Sequence, residues 1–424
     1  MGRAVAGIPK RENSPQLGGS QAGPIMHKDL FGTKMAQALA ELREEWSPLQ
    51  CLDALRKRFD PELARQGAHL FDLRKRCKSR IGLDLLPYLC EPNASQVTAP
   101  AIARYRAQRI AQLTPNSHIW DATCGLGMES IHLSRAGLEV VAGDLRLETA
   151  RYARANLATH GLPARVVCAD AVGSAVRAQG QVLDPDRRPK GSRTMDSKAW
   201  SPSLEACLAS AARHASAAIK LPPAWQVPPA WLQIHRIDWI SLGGELLECC
   251  LWMGAWADAP GPRAVVIDPE GTQHTFGEAP IEVDPLEVQA AEAIPYLTDP
   301  DPSLVRSGLL GSFAQAHGMA PLAPHLGYLG ADSPLRSPFG RTFRVLASCP
   351  LDTKRVRNML AQFDVGPIQV RLRGHQERPE ALARRLAGPG SQPGHIAIAR
   401  LDPHRWVYLL EPLETQPNRQ LRPT

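Results

Sequence analysis

The chain has 424 residues, enough for two or three domains with separate cores, and carries a formal charge of +7 with a pI near 9.0, a modest excess that points to an acidic partner. That excess sits at one end: residues 341–424 hold fourteen Lys and Arg against seven Asp and Glu, so the rest of the chain is balanced. Nine cysteines without a C-x-x-C pair argue against a disulfide framework or a zinc site, and no apolar run reaches signal or membrane-spanning length; the expectation is a cytoplasmic protein with no metal and no membrane partner.

Residues 1–28 are rich in Gly, Pro, Ser and Gln without periodicity and read as a disordered tail. A helical region follows over 29–97. Thr33 is placed to cap a helix ending near Trp46, and Ser47-Pro48 and Asp60-Pro61 are cap-plus-proline starts for two more. Thr98 precedes another helix over 101–113 that carries Arg104, Arg106 and Arg109. Those arginines form either a solvated face or a basic face that touches RNA.

The organising stretch is 118–144, HIWDATCGLGMESIHLSRAGLEVVAGD. A short apolar run ends in Asp121, drops into a turn holding Gly125 and Gly127, continues as an amphipathic helix stopped by Gly137, and returns as a strand ending on Asp144. This is the first unit of a nucleotide-binding α/β domain. Glycines let backbone N–H groups and a helix N-terminus approach a ligand, and an acid after the second strand suits two ribose hydroxyls. Asp121 beside the turn repels pyrophosphate and attracts a cation. That favours S-adenosylmethionine (SAM) over a dinucleotide.

The doubly wound pattern then continues. A helix is expected over 147–159, a strand over 165–169 leading into Asp170, and a strand over 181–183 running into Asp184-Pro185-Asp186-Arg187-Arg188. Trp200-Ser201-Pro202 reads as the cap of a helix reaching Arg213, and a fifth strand over 217–221 bears Lys220, either a phosphate contact or a solvated strand end. Segments 236–241 and 245–252, joined at Gly243-Gly244, read as a hairpin, with Cys249 and Cys250 on opposite faces. Residues 268–301 carry nine carboxylates and no Lys or Arg, a composition unsuited to phosphate. From Asp299-Pro300-Asp301-Pro302 a helix is expected to run toward Ala316. The end of the chain reads as a strand over 343–347, a helix over 354–363, a strand over 368–373, a helix over 379–386, and a hairpin of 395–400 with 406–410 around Asp402-Pro403. Cys349 reads as an ordinary buried cysteine rather than a nucleophile.

Asp121-Ala122-Thr123-Cys124-Gly125-Leu126-Gly127 resembles motif I of class I SAM-dependent methyltransferases, with Thr123 where the first glycine usually stands, as in some RNA methyltransferases. Asp184-Pro185 matches the start of their reaction-side motif, with Arg187 where aminomethyltransferases place an aromatic residue. The order of further landmarks resembles one bacterial family: residues 103–109, Trp200-Ser201-Pro202, 219–223, Trp239 with Glu248, 299–302 with Arg306, and Val370-Arg371-Leu372-Arg373-Gly374. These are class I methyltransferases with a C-terminal THUMP-like domain, inferred to act on RNA.

The resemblance implies an α/β fold. A Rossmann-like methyltransferase sheet (98–270) would follow an N-terminal helical region (29–97) and precede a ferredoxin-like α+β module (275–348) and a THUMP-like RNA-binding domain (349–424). It implies S-adenosyl-L-methionine held by Asp121, Thr123, Cys124, Gly125, Gly127, Asp144, Leu145, Asp170 and Ala171, with Asp170 facing adenine. Asp184, Pro185, Arg187 and Arg188 would position the target, and Lys220, Arg371 and Arg373 would contact RNA, either tRNA or rRNA. Two other readings remain open: a non-catalytic RNA-binding protein that keeps the fold, and a small-molecule methyltransferase with the terminal domain as a lid.

Overall fold

A computed structural model describes residues 28–413, except 79–80, 83, 163–164, 189–190, 278, 324–326, 374–376 and 402–403. Residues 1–27 of the tail expected over 1–28, the strand stop at Gly374 and the turn at Asp402-Pro403 lie outside the described residues, while Lys28 opens a short 3-10 helix, Lys28–Phe31. The chain divides into two units, Met1–Arg76 and Cys77–Thr424.

The first unit is helical. Its first helix, Thr33–Ala40, is shorter than expected and is capped by Gly32 without a side-chain bond, so Thr33 is not the cap. Ser47 does cap Pro48–Arg56, in a reciprocal pair with Gln50. Asp60 Oδ1 accepts from the N–H groups of Glu62 and Leu63 at the start of Pro61–Cys77.

The second unit holds two sheets. The first comprises β1 (His118–Asp121), β2 (Glu139–Asp144), β3 (Val166–Cys168), β4 (Gly180–Leu183), β5 (Ser216–Leu221), β6 (Arg236–Leu242), β7 (Glu245–Gly254), β8 (Gly261–Ile267) and β9 (Gln273–Phe276). Their order is β3-β2-β1-β4-β5-β7-β6-β8-β9. Strands β1 to β5 are parallel, and β7 joins β5 and β6 in antiparallel register, as the Gly243-Gly244 hairpin predicts. The switch in strand order between β1 and β4 opens a crevice at their carboxyl ends, where ligands of open α/β sheets bind.

Helix Pro100–Leu113 and helix Met128–Arg135 cover one face. There Ile102, Tyr105, Ile110, Ile119, Cys250 and Trp252 form a buried core. The opposite face buries Trp120, Leu183, Trp200, Cys207, Ile219 and Cys249. Cys249 and Cys250 therefore do point to opposite faces, each as core filling. The helix after β4 is Leu204–Ala211, capped by Ser203, whose Oγ accepts from Ala206 N–H. Trp200-Ser201-Pro202 is not its cap: Ser201 instead pairs with Asp186 as an isolated β-bridge.

The second sheet comprises β10 (Tyr296–Pro300), β11 (Ala320–Pro321), β12 (Leu329–Ala331), β13 (Gly340–Pro350), β14 (Val365–Leu372), β15 (Gln392–Leu401) and β16 (His404–Pro412), in the order β11-β12-β10-β13-β16-β15-β14. The boundary expected between residues 348 and 349 falls inside β13, which pairs with β10 on one side and β16 on the other. The two expected modules therefore share one continuous sheet. The helix expected from Asp301 to Ala316 is two short helices, Pro302–Arg306 and Leu310–Ala316, broken at Gly308, where φ is +75°. A core of Ala264 and Val266 from β8 with Leu304, Phe313, Leu329 and Phe339 ties this sheet to the first.

Candidate active site

One cavity of about 1740 Å³ lies at the carboxyl ends of β1, β2, β4 and β5 and extends to the second sheet. Every predicted site residue except Gly127 lines it, including Arg371 and Arg373 from the distant end of the chain. Gly127 shapes the turn instead. It caps helix Met128–Arg135 at φ +93°, a left-handed conformation that a side chain would strain even though a Cβ there would meet Ala153 and Leu157 only at ordinary contact distance. Gly125 is also left-handed, at φ +53°.

Around this turn the polar groups are specific. Asp144 Oδ1 accepts from Arg146 N–H at 2.8 Å, and burial holds the carboxyl above its ordinary value against that bond and the Arg146 charge. A desolvated acid with acceptor capacity left is suited to hydroxyl donors. Arg146 in turn donates to Asn93 Oδ1 at 2.9 Å, which places Asn93 on the rim. Leu145, 66% exposed, offers an apolar surface beside the acid. Asp170 Oδ1 accepts from Val172 N–H at 3.0 Å, and Ala171 is buried with its carbonyl accepting from Gln181 Nε2. Cys124 is buried; burial drives its thiol well above the ordinary value, so it is inert.

Thr123 has a structural reason to replace glycine. Its Oγ1 accepts from the Asp184 N–H at 2.6 Å, linking the glycine turn after β1 to the loop after β4. A glycine there would leave that N–H without this acceptor. Asp121 is 2% exposed and accepts from Ser130 Oγ. Burial, aided by the nearby Glu129 charge, pushes its carboxyl up to about 7, against the pull of Ser130 and Arg106.

The three helix arginines do not form one face. Arg106 is buried and bridges Glu129 and Glu248, which excludes both the solvated and the RNA-contacting reading for it. Arg109 pairs with Asp258 and the Trp256 carbonyl, and Arg104 is exposed. Sequence reasoning missed the Arg106–Glu129–Glu248 cluster because its members are 23 and 142 residues apart. The usable signal is Glu248, an acid set between apolar residues inside β7.

Lys220 is neither a solvated strand end nor an unpaired cation. Its Nζ donates to Asp184 Oδ2 at 2.8 Å and Thr98 Oγ1 at 3.0 Å and sits 3.8 Å from Glu248. Thr98 thus serves the site, while Ala99 occupies the cap position of the helix. Pro185 is buried, and Asp186 holds the loop through Ser201 and the Arg188 N–H. Arg187 and Arg188, half-buried, and Arg193, exposed and absent from the expected set, line the cavity.

Across from them, Asp299 accepts from Arg371 at 2.9 Å and from Arg373 at 2.8 Å. Arg371 also lies over the Phe343 ring and Arg373 over Tyr328. The acidic segment was expected to avoid phosphate contacts. Its residue Asp299 lies in the cavity wall, neutralising two arginines. Cys349 is half-buried in β13, and burial pushes its thiol up to about 11.

Residues 340–412 match the family model described as THUMP domain-like. Over 343 residues, 78% of this chain and 90% of the relative, the chain is 30% identical to an uncharacterized S-adenosylmethionine-dependent methyltransferase of Mycobacterium tuberculosis, found in strains CDC 1551 and H37Rv. A crystal structure of a methyltransferase-fold protein from Porphyromonas gingivalis W83 superposes with a TM-score of 0.70 at 19% identity, covering 90% of this chain and 99% of that one, which shows a shared fold.

Proposed function

Because this chain belongs to the class I SAM-dependent methyltransferases that carry a C-terminal THUMP-like domain, we propose that it methylates structured RNA, tRNA or rRNA. SAM supplies an electrophilic methyl group, and the chemistry of the site fits it: a left-handed glycine turn, a desolvated ribose-side acid at Asp144, and a buried carboxyl at Asp121 on the cationic side. In this reading Asp121, Thr123, Cys124, Gly125, Gly127, Asp144, Leu145, Asp170 and Ala171 hold the cofactor. Asp184, oriented by Lys220 and Thr123, lies at the transfer end of the cavity. Orientation and exclusion of water then supply most of the rate acceleration.

The observation that carries the RNA reading is the shared cavity. Arg341, Arg371 and Arg373 of the THUMP-like stretch line the same space as the glycine turn, so a ligand held by that stretch at the cavity lies within reach of the reaction site. The scattered cysteines, without a C-x-x-C pair, suit a reducing, cytoplasmic setting. Among the described residues, no helix is long and apolar enough to cross a membrane. The test is nucleoside mass spectrometry of rRNA and tRNA from a strain lacking the gene. Loss of one methylated nucleoside is the expected result. An unchanged profile would refute stable RNA as the substrate and favour a non-catalytic RNA-binding role.

A further inference from the structure

The two arginine banks facing the cavity are not equivalent. Arg371 and Arg373 share Asp299, and each also lies over an aromatic ring. Their charge is already answered by a carboxylate and each guanidinium already lies over a ring. Arg187, Arg188 and Arg193 line the same cavity, and among the described residues none of the three makes a salt bridge or a side-chain hydrogen bond. The backbones of two of them, by contrast, are held: Arg187 C=O accepts from Thr194 N–H at 3.0 Å, Arg188 C=O from Gly191 N–H at 2.8 Å, and Arg188 N–H donates to Asp186. Arg187 and Arg188 thus stand on a bonded backbone with their side-chain donors unspent, and exposed Arg193 lies within electrostatic reach of Arg187. Holding them so costs energy: burial and the like charges of Arg193 and Arg188 hold Arg187 below its ordinary value, with Asp184 pulling the other way. The carboxylates near Arg187, Asp184 and Glu248, are already paired with Lys220 and Arg106, so the unspent fork-shaped donors suit a ligand such as a phosphate, with three or more acceptor oxygens.

We propose that Arg187, Arg188 and Arg193 form a phosphate subsite that anchors the target nucleotide by its own phosphate, with the base directed toward Asp184. The Asp299-neutralised bank of Arg371 and Arg373 walls the cavity without binding that phosphate. This rests on the RNA reading but is narrower. It requires a nucleotide taken out of its helix or presented at a strand end, since base-paired RNA does not bring base and phosphate together into one enclosed site.

The test uses the full-length protein with S-adenosylhomocysteine present. Calorimetry compares each of the four ribonucleosides with its 5′- and 3′-monophosphates, then repeats the series with Arg193→Gln and Arg188→Gln. One monophosphate is expected to bind about tenfold or more tighter than its nucleoside, the scale of charge-assisted bonds to a phosphate. Either variant should remove most of that increment while S-adenosylhomocysteine affinity stays within about twofold, which also reports that the variant is folded. Equal affinity for nucleosides and monophosphates, no binding of any of them, or an increment that survives both variants overturns the subsite. If structured RNA still binds with steep salt dependence in any of those cases, the RNA reading stands without it. If the increment is present and variant-sensitive but RNA neither binds nor competes, the subsite stands and its ligand is a free nucleotide.

Discussion

Replacing Arg106 by Met tests the buried charge cluster behind the site. Arg106 is 3% exposed and makes two hydrogen bonds to Glu129 and one to Glu248, both buried. Methionine fills much of the same volume but leaves two carboxylates facing one another without their shared cation. Lys220, 3.8 Å from Glu248, compensates only in part because it is committed to Asp184. Breaking a buried ion pair by removing one partner costs about 3–5 kcal/mol, and urea unfolding followed by circular dichroism should show a loss of that size at pH 8.

The pH dependence has a definite sign. Burial already raises Glu129 above its ordinary value even with Arg106 present. Without Arg106 it rises further, so the folded state holds more protons than the unfolded one above the ordinary carboxyl range. Stability then falls as pH rises, and the deficit should be smaller at pH 5 than at pH 8. Adding Glu129→Gln to Arg106→Met should recover part of the loss at pH 8. A loss under about 1 kcal/mol, or a deficit independent of pH, would refute the account of a desolvated, mutually dependent cluster.

Asp144→Asn should weaken SAM binding by about 1.5–3 kcal/mol, the range for a hydrogen bond to a charged group; unchanged affinity in calorimetry would remove Asp144 from the cofactor site. Asp121, held at about 7 by burial, is half-protonated near neutrality. Because a cationic ligand favours its ionised form, affinity for SAM should rise as pH increases from about 6 to 7, and Asp121→Asn should flatten that rise. Thr123→Val removes the acceptor for Asp184 N–H while keeping the shape of the side chain. It should lower methyl transfer more than cofactor affinity, with a stability cost of about 1–3 kcal/mol for the orphaned donor. Equal losses in SAM affinity and transfer would place Thr123 in the cofactor turn alone.

Much of the fold follows from local pattern. The alternation of apolar strands and amphipathic helices from 118 onward sets a parallel sheet, with β1 and β2 ending on Asp121 and Asp144 and β4 running into Asp184. Helices 147–159 and 379–386 begin and end at the residues their sequence pattern indicates. The cofactor turn is legible for the same reason: backbone conformation and a nearby acid are local properties of a few consecutive residues. Boundaries that depend on partners were not legible. The residues on either side of 348 carry ordinary strand pattern, and only pairing with β10 and β16 decides that they belong to one strand.

The sequence by itself determines the strand–glycine turn–helix–strand–acid unit, since Asp121, Gly125, Gly127 and Asp144 lie within 24 consecutive residues whose spacing sets their conformation. Tertiary structure alone decides what each charge faces. Arg106 is spent on Glu129 and Glu248, Lys220 on Asp184, and Arg371 and Arg373 on Asp299, while Arg187, Arg188 and Arg193 keep their donors. The reason is physical: an ion pair depends on distance in space, and these partners are brought together from 23 to 142 residues apart by the two sheets.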